Sequence, residues 1–157
     1  MSDAVLSMTG VAVVRDRATL LADVDWTIRE GERWVVLGPN GAGKTTLMQV
    51  ASASLFPTRG RVELLGEVFG SVDLSELRTR VGISSAALGD RIPGHERALD
   101  VIVTASYGVV GRWHESYDAA DTARALELLG RVGLRAFADR RFGTLSEGER
   151  KRVLLAR

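Results

Sequence analysis

The chain has 157 residues, of which 45% are apolar and 26% charged, an ordinary globular composition that argues against a disordered protein. Its 21 basic side chains nearly balance 20 acidic ones, so we expect no nucleic-acid ligand and only local binding of anions. The sequence has no cysteine, which excludes disulfides and thiolate metal sites, and its two histidines, His95 and His114, are predicted to lie on the surface. The sequence shows neither a signal-peptide pattern nor an apolar stretch of the roughly 20 residues that a membrane span needs, which predicts a soluble chain.

The first part of the sequence predicts an antiparallel pair of strands followed by a buried strand. Apolar and polar residues alternate over 11–13 and 24–28, with a polar turn around Asp16 and Arg17 between them. Residues 34–37, Trp-Val-Val-Leu, are continuously apolar, which is typical of a central strand buried on both faces.

The middle of the chain is predicted to be mainly helical. The predicted elements are a helix at 43–54, strands at 61–64 and 81–83, helices at 99–107 and 118–129, and a last helix from Leu145 onward. Neither a Gly or Asn cap nor a proline follows the last helix, so we expect the chain to be cut inside it.

A glycine-rich loop lies between the predicted buried strand and the first predicted helix. Residues 38–45, GPNGAGKT, match the GxxxxGK[ST] pattern in the strand-loop-helix setting that the pattern requires. Its glycines let successive backbone N–H groups point at phosphate oxygens, helped by the positive end of the following helix. Lys44 adds a charge near the β- and γ-phosphates, and the Thr45 hydroxyl can bind Mg²⁺.

The lysine of this loop is unusual for the chain. The sequence has 19 Arg but only two Lys, Lys44 and Lys151, so a merely solvated charge at position 44 would most often have been arginine. An ammonium is compact and fits under a phosphate where a planar guanidinium is less suited. The loop alone does not select among GTPases, kinases and transport ATPases, but the sequence lacks the Asn-Lys-x-Asp segment with which a GTPase reads guanine.

A second motif lies at the start of the last predicted helix. Ser146 and, three residues later, Glu149 form a predicted capping box, which by itself would explain both residues. It does not explain Gly148, a poor helix former in the first turn, unless a bare backbone must approach another group closely.

The two motifs together make the sequence resemble the ATP-binding subunits of ABC transporters, through GPNGAGKTT at 38–46 and LSEGERKRVLLAR at 145–157. The resemblance implies an α/β fold, namely a P-loop NTPase domain with an antiparallel β edge and an inserted helical subdomain at about 87–144. We expect one ATP-binding domain over 1–157, with the C-terminal part of its core sheet missing and its stability marginal.

The resemblance also implies partners and a location. The chain would form a head-to-tail dimer with itself or a homologous subunit, and would lie on the cytoplasmic, inner face of a membrane beside a transmembrane permease subunit. ATP binding and hydrolysis would then drive transport of a substance that other chains select.

The resemblance assigns site residues as well. The ATP-binding residues of the first loop would be Gly38, Asn40, Gly41, Ala42, Gly43, Lys44, Thr45 and Thr46, with Thr45 also bound to Mg²⁺. Ser146, Gly148 and Glu149 would form the signature, whose serine and glycine amides reach the γ-phosphate held by the partner's loop.

Two positions depart from the family pattern. The aromatic residue that stacks on adenine aligns with Arg15, whose guanidinium either lies flat on the base or remains a solvated charge. The glutamine that senses Mg²⁺ and contacts the membrane subunit aligns with Ala86, which weakens the expected coupling unless a neighbouring hydroxyl such as Ser85 replaces it.

In family members, an apolar strand that ends in Asp-Glu and then a histidine follow the signature. This sequence contains no counterpart of that strand or of the histidine after it. The catalytic residues are therefore unassigned, residues 20–23 have no catalytic role, and we expect no useful turnover. Two further functions stay open: a soluble ABC ATPase that acts on another macromolecule, and a truncated nucleotide binder without turnover. Trp113 and Tyr117 are interpreted either as a partner surface or as core residues.

Overall fold

The computed structural model describes residues 4–111 and 117–157, so the predictions for Trp113 and His114 lie outside the described residues. The chain divides into two compact units, Met1–Arg78 and Thr79–Arg157. Within the described ranges, no helix has both the length and the apolar character that a membrane span requires.

The first unit is built on an antiparallel sheet. Its strands are β1 (Ala4–Arg15), β2 (Ala18–Arg29), β3 (Arg59–Leu64) and β4 (Glu67–Val68), in the order β2-β1-β3-β4. The β1–β2 turn consists of Asp16 and Arg17, both with positive φ (48° and 65°), the backbone twist that suits a two-residue hairpin turn. The predicted antiparallel opening and its polar turn are confirmed.

The core of the first unit combines strands of this sheet with its first helix. The buried side chains come from β1, β2, β3 and α1 (Lys44–Ala51), among other segments, and include Met8, Val13, Leu21, Val50 and Val62. Helix α1 is shorter than the predicted helix at 43–54 and is followed, before the next strand, by Pro57. A second helix of this unit, α2 (Leu74–Arg78), buries Leu77.

The predicted buried strand at 34–37 is wrong: the segment has no strand structure, and Trp34, Val35 and Leu37 are 54%, 79% and 87% exposed. A central strand needs hydrogen-bonding neighbours on its edges and apolar layers on both faces, and no strand among residues 4–111 and 117–157 pairs with this segment. Trp34 instead donates its indole N–H to the Glu32 carboxylate (3.0 Å) and packs edge-to-face on Trp26 (centroids 5.8 Å apart).

The second unit is helical. Its helices are α3 (Ala86–Arg91), α4 (Ala98–Val103), α5 (Ala119–Arg131) and α6 (Glu147–Ala156), and short 3-10 turns lie at Thr104–Tyr107, Arg135–Phe137 and Phe142–Thr144. The predicted helices at 99–107 and 118–129 and the last helix are confirmed. The strand predicted at 81–83 is wrong, because this stretch has no ladder partner in the described part of the chain and is irregular.

The core of the second unit joins these helices. The buried residues at its centre include Ala98 of α4, Leu129 of α5 and Val153 of α6, each fully or almost fully inaccessible. Tyr117 is half-buried against this cluster and packs edge-to-face on Tyr107 (5.2 Å), which favours the core interpretation of that residue. His95 is exposed, as predicted.

Candidate functional site

The glycine-rich loop connects the end of β2, through residues 30–37, to the start of α1. The Ala42 N–H donates to the Pro39 carbonyl (3.3 Å), closing a four-residue turn. Gly41 has a φ of +83° at the third position of that turn, where glycine is favoured because an L side chain there would be strained. The loop therefore curls back on itself before the helix begins.

Gly43 ends the loop and caps α1 with a left-handed backbone (φ 84°). No described side chain caps this helix, and its first turn has no acidic residue. The first N–H groups of a helix have no intrahelical partner, so the N-terminus of α1 offers free donors and the positive end of the helix dipole. This arrangement suits a phosphate group.

Lys44 folds over the loop that precedes it. Its ammonium donates to the Gly38 carbonyl and to the Pro39 carbonyl, both at 2.7 Å. These bonds tie the first turn of α1 to the beginning of the loop. An ammonium has three donors, so one N–H remains for an anion placed at the helix N-terminus.

Two hydroxyl residues follow the lysine. Thr45 is exposed and Thr46 half-buried, and the described structure shows no hydrogen bond for either hydroxyl. Nor does it contain a group of three or more His, Asp or Glu side chains suited to a metal ion. Mg²⁺ typically binds through one or two protein oxygens together with substrate phosphates, so the exposed Thr45 hydroxyl fits that role.

Arg15 is exposed at the end of β1, in register with Ala18 across the hairpin turn. It forms no ion pair with any described residue. Thr58 fixes this end of the strand, because its hydroxyl accepts a bond from the Val14 N–H (2.9 Å) and its N–H donates to the Ala12 carbonyl (2.8 Å). The backbone that carries Arg15 is therefore held on both edges.

In the second unit, Ser146 and Glu149 form the predicted capping box. The Glu149 N–H donates to the Ser146 hydroxyl (3.3 Å), and the Ser146 N–H donates to the Glu149 carboxylate (2.7 Å). The backbone N–H of Ser146, and next its side chain, hold the pKa of Glu149 below its ordinary value. Both side chains thus have a structural role in starting α6.

Helix capping, which explains Ser146 and Glu149, does not explain why residue 148 is a glycine. A Cβ at this position would have no heavy atom within 4 Å apart from the helix's own backbone and its chain neighbours. Its backbone conformation also lies outside the left-handed region. Since glycine in a helix is about 1 kcal/mol less favourable than alanine, neither packing nor backbone geometry among the described residues accounts for it.

The sequence did not reveal how the start of α6 is fixed. The Phe142 N–H donates to the Glu96 carbonyl (2.7 Å) and the Gly143 N–H to the Gly94 carbonyl (2.9 Å). A Cβ at Gly143 would lie 3.0 Å from that Gly94 oxygen. The backbones of the two segments are therefore in direct contact, with little room for a side chain at position 143.

Ala86 is the first residue of α3, and Ser85 is its N-cap. The Ser85 hydroxyl accepts a bond from the Leu88 N–H (3.1 Å), so this hydroxyl already starts a helix. Ala86 lines a cavity of about 260 Å³ between α3 and α6, together with Gly89, Asp90, Phe142, Glu147, Arg150, Lys151 and Leu154.

The loop and its helix define a P-loop nucleotide-binding fold, and the solved structures agree. The dimeric post-hydrolysis structure of the ATP-binding cassette MJ0796, bound to ADP and Pi, superposes with a TM-score of 0.79 at 22% sequence identity, over 96% of this chain and 67% of that one. The model of the ABC transporter family matches residues 21–157, so the chain belongs to the ABC transporter family.

Two relatives show the same likeness in sequence. The uncharacterised ABC transporter ATP-binding protein YlmA of Bacillus subtilis is 36% identical over 98% of this chain. The zinc transport system ATP-binding protein TroB of Treponema pallidum is 37% identical over 97% of this chain. The chain spans 58% of the length of each relative. The resemblance and the fold class predicted from the sequence are confirmed.

Proposed function

We propose that this chain binds Mg-ATP through its glycine-rich loop, as the nucleotide-binding subunit of an ABC transporter that couples ATP binding and hydrolysis to transport. The observation that carries the proposal is the closed loop at the uncapped N-terminus of α1, braced by Lys44 at 2.7 Å from two loop carbonyls. These two hydrogen bonds keep the Lys44 ammonium near the start of α1, where the first helix N–H groups have no intrahelical partner. A positive charge together with free N–H donors favours the binding of a phosphate chain.

Each residue of the loop has a role in this proposal. Apart from the Ala42 N–H, which closes the turn, the backbone N–H groups of residues 40–46 surround the phosphates, and the remaining N–H of the Lys44 ammonium donates to them. The hydroxyl of Thr45 binds the Mg²⁺ ion, which neutralises part of the phosphate charge. The glycines allow the backbone to approach closely, and Thr46 adds its backbone N–H in the first turn of α1.

Sheet geometry supports a role for Arg15 in contacting the nucleotide base. Val13 lies opposite Leu21, so the two side chains share a face of the sheet, and Leu21 is the residue that touches Gly43. Arg15 is two residues farther along β1, about 7 Å, and therefore on that same face. We propose that the Arg15 guanidinium reaches the nucleotide from this face and stacks on the base.

The signature residues act on a second nucleotide. The unexplained Gly148, in the first turn of a helix that Ser146 caps, supports an approach by another molecule to the amides of that turn. We propose that Ser146 and Gly148 donate to the γ-phosphate held by the loop of a second subunit in a head-to-tail dimer, while Glu149 keeps the turn in place. A helix N-terminus aimed at a triphosphate stabilises ATP more than ADP.

A transmembrane permease subunit completes the proposed assembly, with this chain on its cytoplasmic side. The name of the TroB relative, a zinc transport system ATP-binding protein, supports a transport system, whereas the cargo follows from the membrane and binding subunits. We assign no catalytic base among the described residues, so the function proposed for this chain itself is nucleotide binding, and hydrolysis belongs to the assembled protein.

Isothermal titration of the chain with Mg-ATP tests the proposal. Lys44→Ala should weaken binding by at least about tenfold, because hydrogen bonds to charged groups are worth that much. The matched control is Lys151→Ala: it removes the other lysine of the sequence, whose side chain is 71% exposed in an ion pair with Glu147 (2.7 Å). Equal affinity of both variants, or no binding by the unaltered chain, would overturn the proposal.

A further inference from the structure

The end of the phosphate loop rests on strand β2. A Cβ built at Gly43 would lie 2.6 Å from the Leu20 carbonyl oxygen and 2.9 Å from Leu21 Cδ2. Both distances are shorter than a Cβ contact allows, so the backbone of Gly43 is packed directly against these two residues. No residue larger than glycine fits between β2 and the start of α1.

A bulge in β2 produces this contact. Val13 lies opposite Leu21, and the next residue, Val14, lies opposite Thr19, so Leu20 has no partner on β1. A bulge of this kind bends the strand and redirects the groups of the unpaired residue. Here the carbonyl of Leu20 faces Gly43, while Leu21 remains in the core at 8% exposure.

The part of β2 that contacts the loop is held in place by its neighbours in the sheet. The partner strand β1 is bonded at this end to Thr58 through both Ala12 and Val14. The turn at Asp16 and Arg17 closes the hairpin a few residues beyond the bulge. The position of Gly43 therefore follows from the sheet, and Gly43 in turn starts α1, since its carbonyl accepts the Leu47 N–H (2.8 Å).

We propose that Leu20 and Leu21 are positioning residues for the phosphate loop. The Leu20 carbonyl and the Leu21 side chain hold Gly43, and through it the N-terminal N–H groups of α1, at the place where the triphosphate binds. The inference rests on the proposed function for its effect on affinity, whereas the contacts of Gly43 with Leu20 and Leu21 involve only the chain's own residues.

Two measurements on the same variants test this role. Leu21→Val removes both Cδ atoms, including the Cδ2 that touches the loop, but keeps a residue suited to a strand. Leu21→Ile moves the branch point to Cβ and so removes Cδ2 without leaving a large cavity. Leu21→Met keeps a long side chain and should restore the contact. The matched control is Leu64→Val, at a buried position (5% exposed) whose partner Leu6 lies seven residues, about 23 Å, along β1 from Val13.

We expect Leu21→Val and Leu21→Ile to speed hydrogen exchange at the Leu47 amide by about tenfold relative to Leu64→Val at matched global stability, because the support of the helix start is loosened. Their dissociation constants for Mg-ATP should rise about fivefold, and Leu21→Met should stay within about twofold of the unaltered chain.

Leu47 exchange that changes no more in the Leu21 variants than in Leu64→Val would overturn the inference, as would unchanged ATP affinity in a chain that binds ATP. If the unaltered chain does not bind ATP, the proposed function fails, and the exchange of Leu47 still decides whether β2 positions the loop. Nuclear magnetic resonance gives that exchange for the single amide.

Discussion

The ammonium of Lys44 donates a 2.7 Å hydrogen bond to the carbonyl of Gly38, so the last turn of the phosphate loop is tied to its first residue. A lysine that only awaited a ligand would extend into solvent, where its rotamers are free. Because the hydrogen bonds of Lys44 to the Gly38 and Pro39 carbonyls close the loop with the chain's own groups, little ordering cost remains for binding.

The contact at Gly43 predicts a strong local effect of one methyl group. Gly43→Ala places a Cβ 2.6 Å from the Leu20 carbonyl oxygen in a backbone with φ +84°, so we expect the free energy of unfolding to fall by about 1–3 kcal/mol. Denaturant unfolding followed by circular dichroism measures this change.

Gly130→Ala is the control for that substitution. Gly130 lies in α5 with no neighbour within 4 Å of a Cβ and no positive φ, so alanine should stabilise the chain by about 0.5–1 kcal/mol. A loss of stability at Gly130 as large as that at Gly43 would show that the contact with β2 is not the cause.

Gly148→Ala should separate stability from function. Alanine meets no neighbouring group there and is the better helix former, so the unfolding free energy should rise by about 0.5–1 kcal/mol. ATP-dependent dimerisation, followed by light scattering of the chain with Mg-ATP, should weaken, because a methyl group would block the approach of a phosphate. Improved stability with unchanged dimerisation would remove the proposed role of Gly148.

The capping box predicts a pH dependence. Hydrogen bonds from Ser146 lower the pKa of Glu149 below its ordinary 4.5, so the ionised carboxylate contributes stability above that value and loses it as the pH falls through the lower, folded-state pKa. Relative to Glu149→Gln, the unaltered chain should therefore unfold at higher temperature at neutral pH. The unfolding temperatures of the unaltered chain and Glu149→Gln should converge well below pH 4.5. A difference between these temperatures that stayed constant with pH would contradict this account.

Arg15 should affect the affinity for the nucleotide base. Removing a guanidinium that stacks on a base at an exposed site costs about 0.5–1 kcal/mol, so Arg15→Ala should raise the dissociation constant of Mg-ATP by about two- to fivefold. Arg15→Tyr should restore affinity. The control is Arg17→Ala, which removes the same charge from the adjacent turn; equal losses at both positions would indicate a general electrostatic effect instead of stacking.

Local chemistry explains which predictions from the sequence succeeded. The hairpin turn at Asp16, the helices α4, α5 and α6 of the second unit and the capping box of Ser146 with Glu149 depend on residues close together in sequence, and each was predicted, whereas α3 was not. The loop around Lys44 was likewise predicted from its glycine spacing, because glycine adopts a positive φ without strain, as Gly41 and Gly43 do.

The failures concern contacts between distant parts of the chain. Residues 34–37 have the composition of a central strand, but a strand forms only where partners complete its ladder, and the described residues supply none. The bulge at Leu20 has no composition signal, since an unpaired residue is defined by the register of its partner strand. The approach of Gly143 to Gly94 is equally a property of the pair.

The measurement that tests the central claim most directly is the thermal unfolding of the 157-residue chain with and without Mg-ATP, repeated with Lys44→Ala and Lys151→Ala. At about 100 times its dissociation constant, a ligand adds about 2.7 kcal/mol to the stability of a folded binder. We predict one cooperative transition that rises with Mg-ATP in the unaltered chain and in Lys151→Ala, and that rises at most about half as much in Lys44→Ala, since a tenfold weaker binder gains about 1.4 kcal/mol at the same ATP concentration. A transition that ignores Mg-ATP in all three, or that rises equally in all three, would contradict nucleotide binding through this loop.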